Sequence, residues 1–258
     1  MVGDNILLAG PKSVGKNVAI ETFSWLLLLP VGELTLNPQT SNENLYGAPT
    51  VKNDNGVPVT VFEMTALVSA YIGEPKRFPA GGISLSDEIN AAPSATMMPM
   101  QAAWDWRKHI EIPNFKKVHK HRRSLSFATM NPGYLSMKPL NEAIADRYNT
   151  TIFMENGIDF FKVLEREHGE NLNIDLAKKL AELYKQFFDM VNEADLDMDS
   201  DVEIDDKVLT IRGFKSAYNK IENGQDFVRA VRNSILNKVT DRETRSGLME
   251  VVQDKFGK

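Results

Sequence analysis

The stretch "NILLAGPKSVGKN", residues 5 to 17, constrains this chain more than any other. A short apolar run leads straight into a loop with Gly10 and Gly15, Lys16 follows, and a helical run comes next. That is the strand-loop-helix setting of a phosphate-binding loop. Glycines let the backbone wrap a phosphate with its N–H groups, the helix N-terminus adds positive dipole, and the lysine supplies a point charge for the β and γ phosphates. The candidate nucleotide-binding residues are therefore Gly10, Pro11, Lys12, Ser13, Val14, Gly15, Lys16 and Asn17. A plain strand-to-helix turn with two glycines would not need the Gly-Lys pair at this offset. The last letter is unusual, because the chemistry asks for a Ser or Thr hydroxyl as a compact Mg²⁺ ligand and the chain has Asn17. An amide oxygen can ligate a hard cation, but its longer side chain suits the tight octahedral shell of ~2.0–2.1 Å poorly, so weakened metal binding is expected.

A nucleotide site also needs an acid on a neighbouring strand, and "GGISLSDEIN" supplies two, Asp87 and Glu88. Asp87 is the candidate for the Mg²⁺ shell, and Glu88 for orienting and deprotonating the attacking water. A strand ending in two acids is commonplace by itself, and the loop upstream gives it meaning.

The organisation fits this reading. Apolar runs bounded by turn residues, at 5–9, 33–36, 83–86, 125–130 and 149–154, alternate with helical stretches, which predicts an α/β fold with a mostly parallel sheet covered on both faces. From about Gly157 the apolar spacing becomes three-and-four, which predicts a small helical lid; the expected domains are residues 1–156 and 157–258. With 258 residues, 42% of them apolar and 25% charged, the chain is an ordinary globular one. The run "WLLLLP" is too short to span a bilayer, for which ~20 residues are needed. No cysteine is present, so disulfides and thiolate metal sites are excluded, and a soluble, cytoplasmic protein is expected. A net charge of −5 argues against a generally basic nucleic-acid surface.

Taken together, "ILLAGPKSVGKN", "ISLSDEINAAPSATMMPMQAAWDWR", "FATMNPGY" and "LNEAIADRY" follow the order and spacing of the AAA+ ATPases over nearly the whole chain, and resemble the MoxR-type branch. "NPGY" is most similar to the members that activate Rubisco, nitric oxide reductase or gas-vesicle assembly. The resemblance implies a P-loop three-layer α/β/α domain followed by an all-α lid, ATP and Mg²⁺ as cofactors, and a homo-oligomeric ring, implied to have six subunits, that hydrolyses ATP to remodel a protein client through an adaptor. It makes Asn131 the first sensor, Arg147 the arginine finger that reaches a neighbouring subunit's nucleotide, and Arg212 the second sensor, with Arg229 as runner-up. The bland alternatives are an Asn-Pro-Gly turn for Asn131 and, for Arg147, pairing with Asp146 or a carbonyl at a helix end. Two departures stand out. One is Asn17; the other is a P-loop strand that starts within five residues of Met1, where family members usually carry a preceding helix that helps to hold the base.

Three further features have competing readings. Asp195, Asp197, Asp199, Asp201, Glu203 and Asp206 imitate a calcium-binding loop, but Ser200 stands where the sharp turn wants Gly and the final ligand is Asp, which favours a solvated acidic loop. "WDWRKHIEIPNFKKVHKHRRS" concentrates positive charge, with "HIEI" suggesting a β-hairpin; the alternative function of a DNA-associated motor or loader rests on it. His109, His119 and His121 have no helical spacing and no nearby carboxylate cluster, so a metal site is not expected. A nucleotide-binding ring subunit with little hydrolysis is the other alternative, and it rests on Asn17.

Overall fold

The computed structural model describes residues 5–112, 115–132, 140–155, 157–196 and 206–256. The chain divides into two compact units, the larger made of most residues up to Met154 and the smaller from Glu155 onward. The larger contains, in chain order, β1 (Asn5–Ala9), α1 (Lys16–Leu27), β2 (Val31–Thr35), α2 (Asn42–Tyr46), β3 (Gly47–Asp54), β4 (Val57–Met64), α3 (Ala66–Ile72), β5 (Ile83–Asp87), α4 (Ser94–Met97), α5 (Gln101–Trp104), β6 (His109–Glu111), β7 (Lys117–His119), β8 (Leu125–Met130), α6 (Glu142–Ala145) and β9 (Thr150–Phe153).

Five of these strands form one sheet in the order β2-β5-β8-β1-β9, with every pair parallel. Both faces are covered, as parallel sheets require. Leu8, Ile83, Leu85 and Phe127 pack on one face with Ile20 of α1. On the other, Leu7 and Ala128 join a cluster with Leu67, Val68 and Tyr71 of α3 and Trp104 of α5. The successive residues Leu7 and Leu8 thus serve opposite faces, which is the period-two alternation of a strand. The expected strands at 5–9 and 125–130 match their observed bounds, and the run at 33–36 starts earlier, at Val31.

The sequence reading left out one element, the antiparallel hairpin of β3 and β4. Its turn is Asn55-Gly56, both with positive φ (51° and 88°), the pairing that two-residue hairpin turns favour. Most of its side chains are exposed, so its apolar pattern is thin, and the Asn-Gly dipeptide was the legible signal. The short hairpin expected from "HIEI" is present as β6 and β7, with His109 opposite His119.

The smaller unit is helical: α7 (Phe160–His168), α8 (Ile174–Leu196), α9 (Ile211–Glu222), α10 (Phe227–Ser234) and α11 (Arg242–Phe256). Each of three helices opens on a side-chain cap, Asp159 accepting from the Lys162 N–H, Thr210 from the Gly213 N–H and Asp226 from the Arg229 N–H. Its core centres on Phe214, whose ring stands edge-on to Phe160, Tyr184 and Phe187 at centroid distances of 5.4, 5.1 and 6.1 Å. Most of the acidic stretch, 197–205, lies outside the described residues, and with it the calcium-loop reading.

Gly32 of β2 lies under α3 so closely that an added Cβ would sit 2.1 Å from the Ala66 carbonyl oxygen, whereas Gly247 of α11 has nothing within 4 Å. Gly32→Ala is expected to destabilise the fold by about 1–3 kcal/mol through overpacking. Gly247→Ala should stabilise it by about 0.5–1 kcal/mol by removing a flexible residue from a helix interior. Urea unfolding of the two variants checks both signs.

Candidate active site

The site begins where β1 ends. The Gly10 N–H donates to the Met130 carbonyl at 3.2 Å, tying the loop to β8, and an added Cβ at Gly10 would meet the Met154 carbonyl oxygen at 2.2 Å. No side chain longer than glycine's fits there. Ser13 (φ 68°) and Gly15 (φ 94°) are both left-handed, which curls the loop, and Gly15 serves as the N-cap of α1. No side chain caps that helix, so its first turn presents backbone N–H groups and positive dipole to a ligand.

Lys16, the first residue of α1, is buried. Its Nζ donates to the carbonyls of Gly10 and Pro11 and to Asn131 Oδ1, each at 2.7 Å. Asn131 follows β8 directly and is itself buried, at 3% exposure. Its Nδ2 donates to Glu88 Oε1 at 3.3 Å, so one amide side chain links the loop lysine to the second acid. Asn90 adds a bond from its Nδ2 to the Asn131 carbonyl at 3.2 Å.

The acids sit where β5 ends. Glu88 has φ 54° and ψ 48°, a left-handed conformation that a non-glycine residue holds only at a cost of about 1–3 kcal/mol and that clusters at functional sites. Thr129 of β8, fully buried, bridges the pair: its hydroxyl donates to Asp87 Oδ1 at 2.5 Å and accepts from the Glu88 N–H at 3.0 Å. Thr129 and Asn90 did not figure among the expected site residues. Thr129 was legible in principle, since residues 129 and 131 of one extended segment point the same way. Nearby Glu33 of β2 has its pKa raised, first by burial and then by the negative charges of Asp87 and Glu21. Asp87 and Glu88 thus set two acids at the end of β5.

Asn17 is half-buried in the first turn of α1. Its amide oxygen and the Asp87 carboxylate are oxygen donors of the kind a hard cation takes, with the amide the poorer fit to a tight octahedral shell.

Arg147 lies elsewhere. Its carbonyl accepts from Asn5 Nδ2 at 2.7 Å, and Asn5 is the first residue of β1, about 13 Å along the strand from the loop end. Its guanidinium donates to the Ala143 carbonyl, and Nε lies 4.0 Å from Asp105 Oδ2. Asp105 is also held by Arg107, whose hydrogen bonds are the main cause of its lowered pKa. Of the pairings expected for an idle helix-end arginine, the carbonyl contact is present, and the acid is Asp105 where Asp146 was expected. Arg212, in the first turn of α9, is exposed and lines a groove of about 540 Å³ with Lys215, Asn219 and Lys220 on the smaller unit; Arg229 is exposed on α10.

Lys16, Asp87, Glu88 and Asn131 therefore converge, while Arg147 sits at the far end of the sheet. The family model for the AAA domain (dynein-related subfamily) matches residues 5–148, more than half of the chain and the stretch that carries this whole network. The chain belongs to the AAA+ ATPase family. Among its relatives are an uncharacterised protein of Staphylococcus epidermidis, 24% identical over 98% of this chain and 90% of its own length, and one of Staphylococcus aureus, 25% identical with the same coverage. A crystal structure from Cytophaga hutchinsonii aligns with 96% of this chain and 76% of its own at 15% identity and a TM-score of 0.49. Among the described residues of this AAA+ protein, no helix is long and apolar enough to cross a membrane.

Proposed function

We propose that this AAA+ protein is a MoxR-like ATPase that works as a homo-oligomeric ring, with six subunits the expected number, and uses ATP hydrolysis to remodel or activate a protein client, with an adaptor. The observation that carries the catalytic part is the Lys16–Asn131–Glu88 chain of hydrogen bonds, which puts a phosphate-binding cation, a sensor amide and a general base in one connected set. In this reading Lys16 exchanges its carbonyl partners for the β and γ phosphates of ATP. Asn131 then turns its amide between the terminal phosphate and the attacking water, and Glu88 takes the proton from that water. Asp87 and Asn17 would hold the Mg²⁺ ion, which when bound neutralises phosphate charge. Arg212 would contact the nucleotide from the smaller unit.

Arg147 supports the ring. An arginine tethered at the opposite end of β1 is badly placed for its own loop and suited to delivery into a neighbour's site. The reading as a DNA-associated motor is less favoured, since Arg107 and Lys117 of the basic segment are neutralised by Asp105 at 2.6 Å and Glu111 at 2.9 Å. The amide at Asn17 favours slow turnover, and a ring subunit that binds nucleotide without hydrolysis is the limit of that trend.

Lys16→Ala is expected to abolish ATP binding, measured with a fluorescent nucleotide; unchanged affinity rejects the phosphate-loop assignment. Asn17→Thr should raise Mg²⁺-dependent turnover by restoring a compact hydroxyl ligand. A fall in rate would mean that the amide is an adapted ligand. Arg147→Ala should bind ATP almost normally yet lose about 10³–10⁵ in rate, the range for arginine fingers, or roughly 4–7 kcal/mol of barrier. Mixing it with Lys16→Ala subunits should recover part of the activity, because those subunits still offer their arginine to an intact site. Wild-type turnover by Arg147→Ala, or hydrolysis by a protein that stays monomeric at every concentration, defeats the ring mechanism.

A further inference from the structure

We propose that Thr129 is a positioning residue of this site, one that fixes the metal-holding acid and the base-bearing backbone to each other through a single hydroxyl; the inference rests on the ATPase reading above. A hydroxyl has one hydrogen to give and lone pairs to accept with. The Glu88 N–H can only donate, so it takes a lone pair of Thr129 Oγ1 and leaves the one hydrogen for Asp87 Oδ1. The direction of both bonds is thereby settled. Asp87 must present Oδ1 as an acceptor to Thr129, which fixes the carboxylate and leaves Oδ2 without a claim from this hydroxyl. The same bond anchors the Glu88 N–H at the point where the backbone turns left-handed, and so sets where the Glu88 carboxylate leaves the chain.

A buried threonine in a strand ordinarily satisfies its hydroxyl on a nearby carbonyl. Thr129 instead directs both bonds to consecutive acidic residues at the end of another strand, 42 and 41 residues away. Its backbone is held in turn by the parallel pairing of β8, with Thr129 opposite Leu8 of β1. The hydroxyl is therefore a fixed point against which the Asp87 carboxylate and the Glu88 backbone are set. The strand-end location also explains why the polar group is tolerated at full burial, since each partner would otherwise be left short of a bond.

The test compares Thr129→Val, which keeps the shape and removes the hydroxyl, with Thr129→Ser, which keeps the hydroxyl, in the full chain. Three quantities are read: affinity for a fluorescent ATP analogue without metal, Mn²⁺ affinity of the protein bound to a non-hydrolysable ATP analogue by electron paramagnetic resonance, and the Mg²⁺ dependence of turnover. Thr129→Val is expected to bind nucleotide without metal within about twofold of wild type. Its Mn²⁺ affinity and its turnover should each fall by about 10–100-fold, the usual cost of losing a partner behind a metal ligand, and Thr129→Ser should restore both. Thr129→Ala, which cannot clash, takes the place of the valine variant if that one does not fold. Wild-type metal affinity and turnover in Thr129→Val overturn the proposal. So does a Thr129→Ser protein as impaired as Thr129→Val, which would show that the hydroxyl does not carry the effect. A wild-type protein that binds no ATP would bring down the ATPase reading itself, a result distinct from either of these.

Discussion

Strand β8 lies between β1 and β5 and pairs in parallel with both, and the site depends on that placement. Parallel pairing puts the C-terminal ends of all three strands at one edge of the sheet, so the loop after β1, the acids after β5 and the polar pair Thr129 and Asn131 from β8 meet there. Ligands of open parallel sheets bind beyond the carboxyl ends of the strands for this reason. If β5 neighboured β1 directly, the positive loop and the acids would face each other with no neutral group between them. The amide after β8 and the hydroxyl on it are short, buried and uncharged; Asn131 bonds to Lys16 on one side and Glu88 on the other, and Thr129 directs both its bonds to the acids.

The arrangement concentrates polar groups in a buried place. Asn5, Ser84, Ser86, Ser126, Thr129 and Asn131 are all buried on the central strands, where an ordinary parallel sheet is Val, Ile and Leu-rich. Such groups cost stability unless they are hydrogen-bonded. The stability comes from elsewhere: Leu8, Ile20, Leu85 and Phe127 on one face, and the larger cluster around Leu67, Tyr71 and Trp104 on the other. Function sits on the strand ends, and the apolar middles of the same strands hold it in place. The left-handed Glu88 belongs to the same division, since its strain is sustained by the bond from its own N–H to Thr129.

Asn5 does at the other end of β1 what Asn131 does beyond β8. Its Nδ2 bonds the carbonyls of Trp104 and Arg147, fixing the segment that carries the arginine to the segment that carries Asp105. The sheet therefore separates the Lys16–Asn131–Glu88 network from Arg147 by the length of a strand. Asp105 has its pKa lowered by its hydrogen bonds with Arg107 and also lies within ion-pair reach of Arg147.

Much of the site was legible in the residues. The Gly10–Lys16 offset, the two acids at the end of an apolar run and the Asn after the strand at 125–130 each carry a local signal, because strand, loop and helix starts are decided by nearby residues. The family model matches residues 5–148, the stretch that holds all of them. Local pattern also announced the two-residue turn at Asn55-Gly56, although the exposed hairpin around it gave little apolar periodicity to read. Thr129 was a different case. Its spacing of two from Asn131 could have placed it on the same side, but its partners lie more than forty residues away and are reached only through the pairing of β8 with β5. The same holds for Asn5 with Arg147, and for Asp105 in the place expected of Asp146. The sequence by itself determined which chemistry the chain carries and on which elements, because those choices are local. Only the tertiary structure decided which side chains bond to which, because the order of strands in a sheet is set by the burial of both its faces, a property of the whole core and of no single segment.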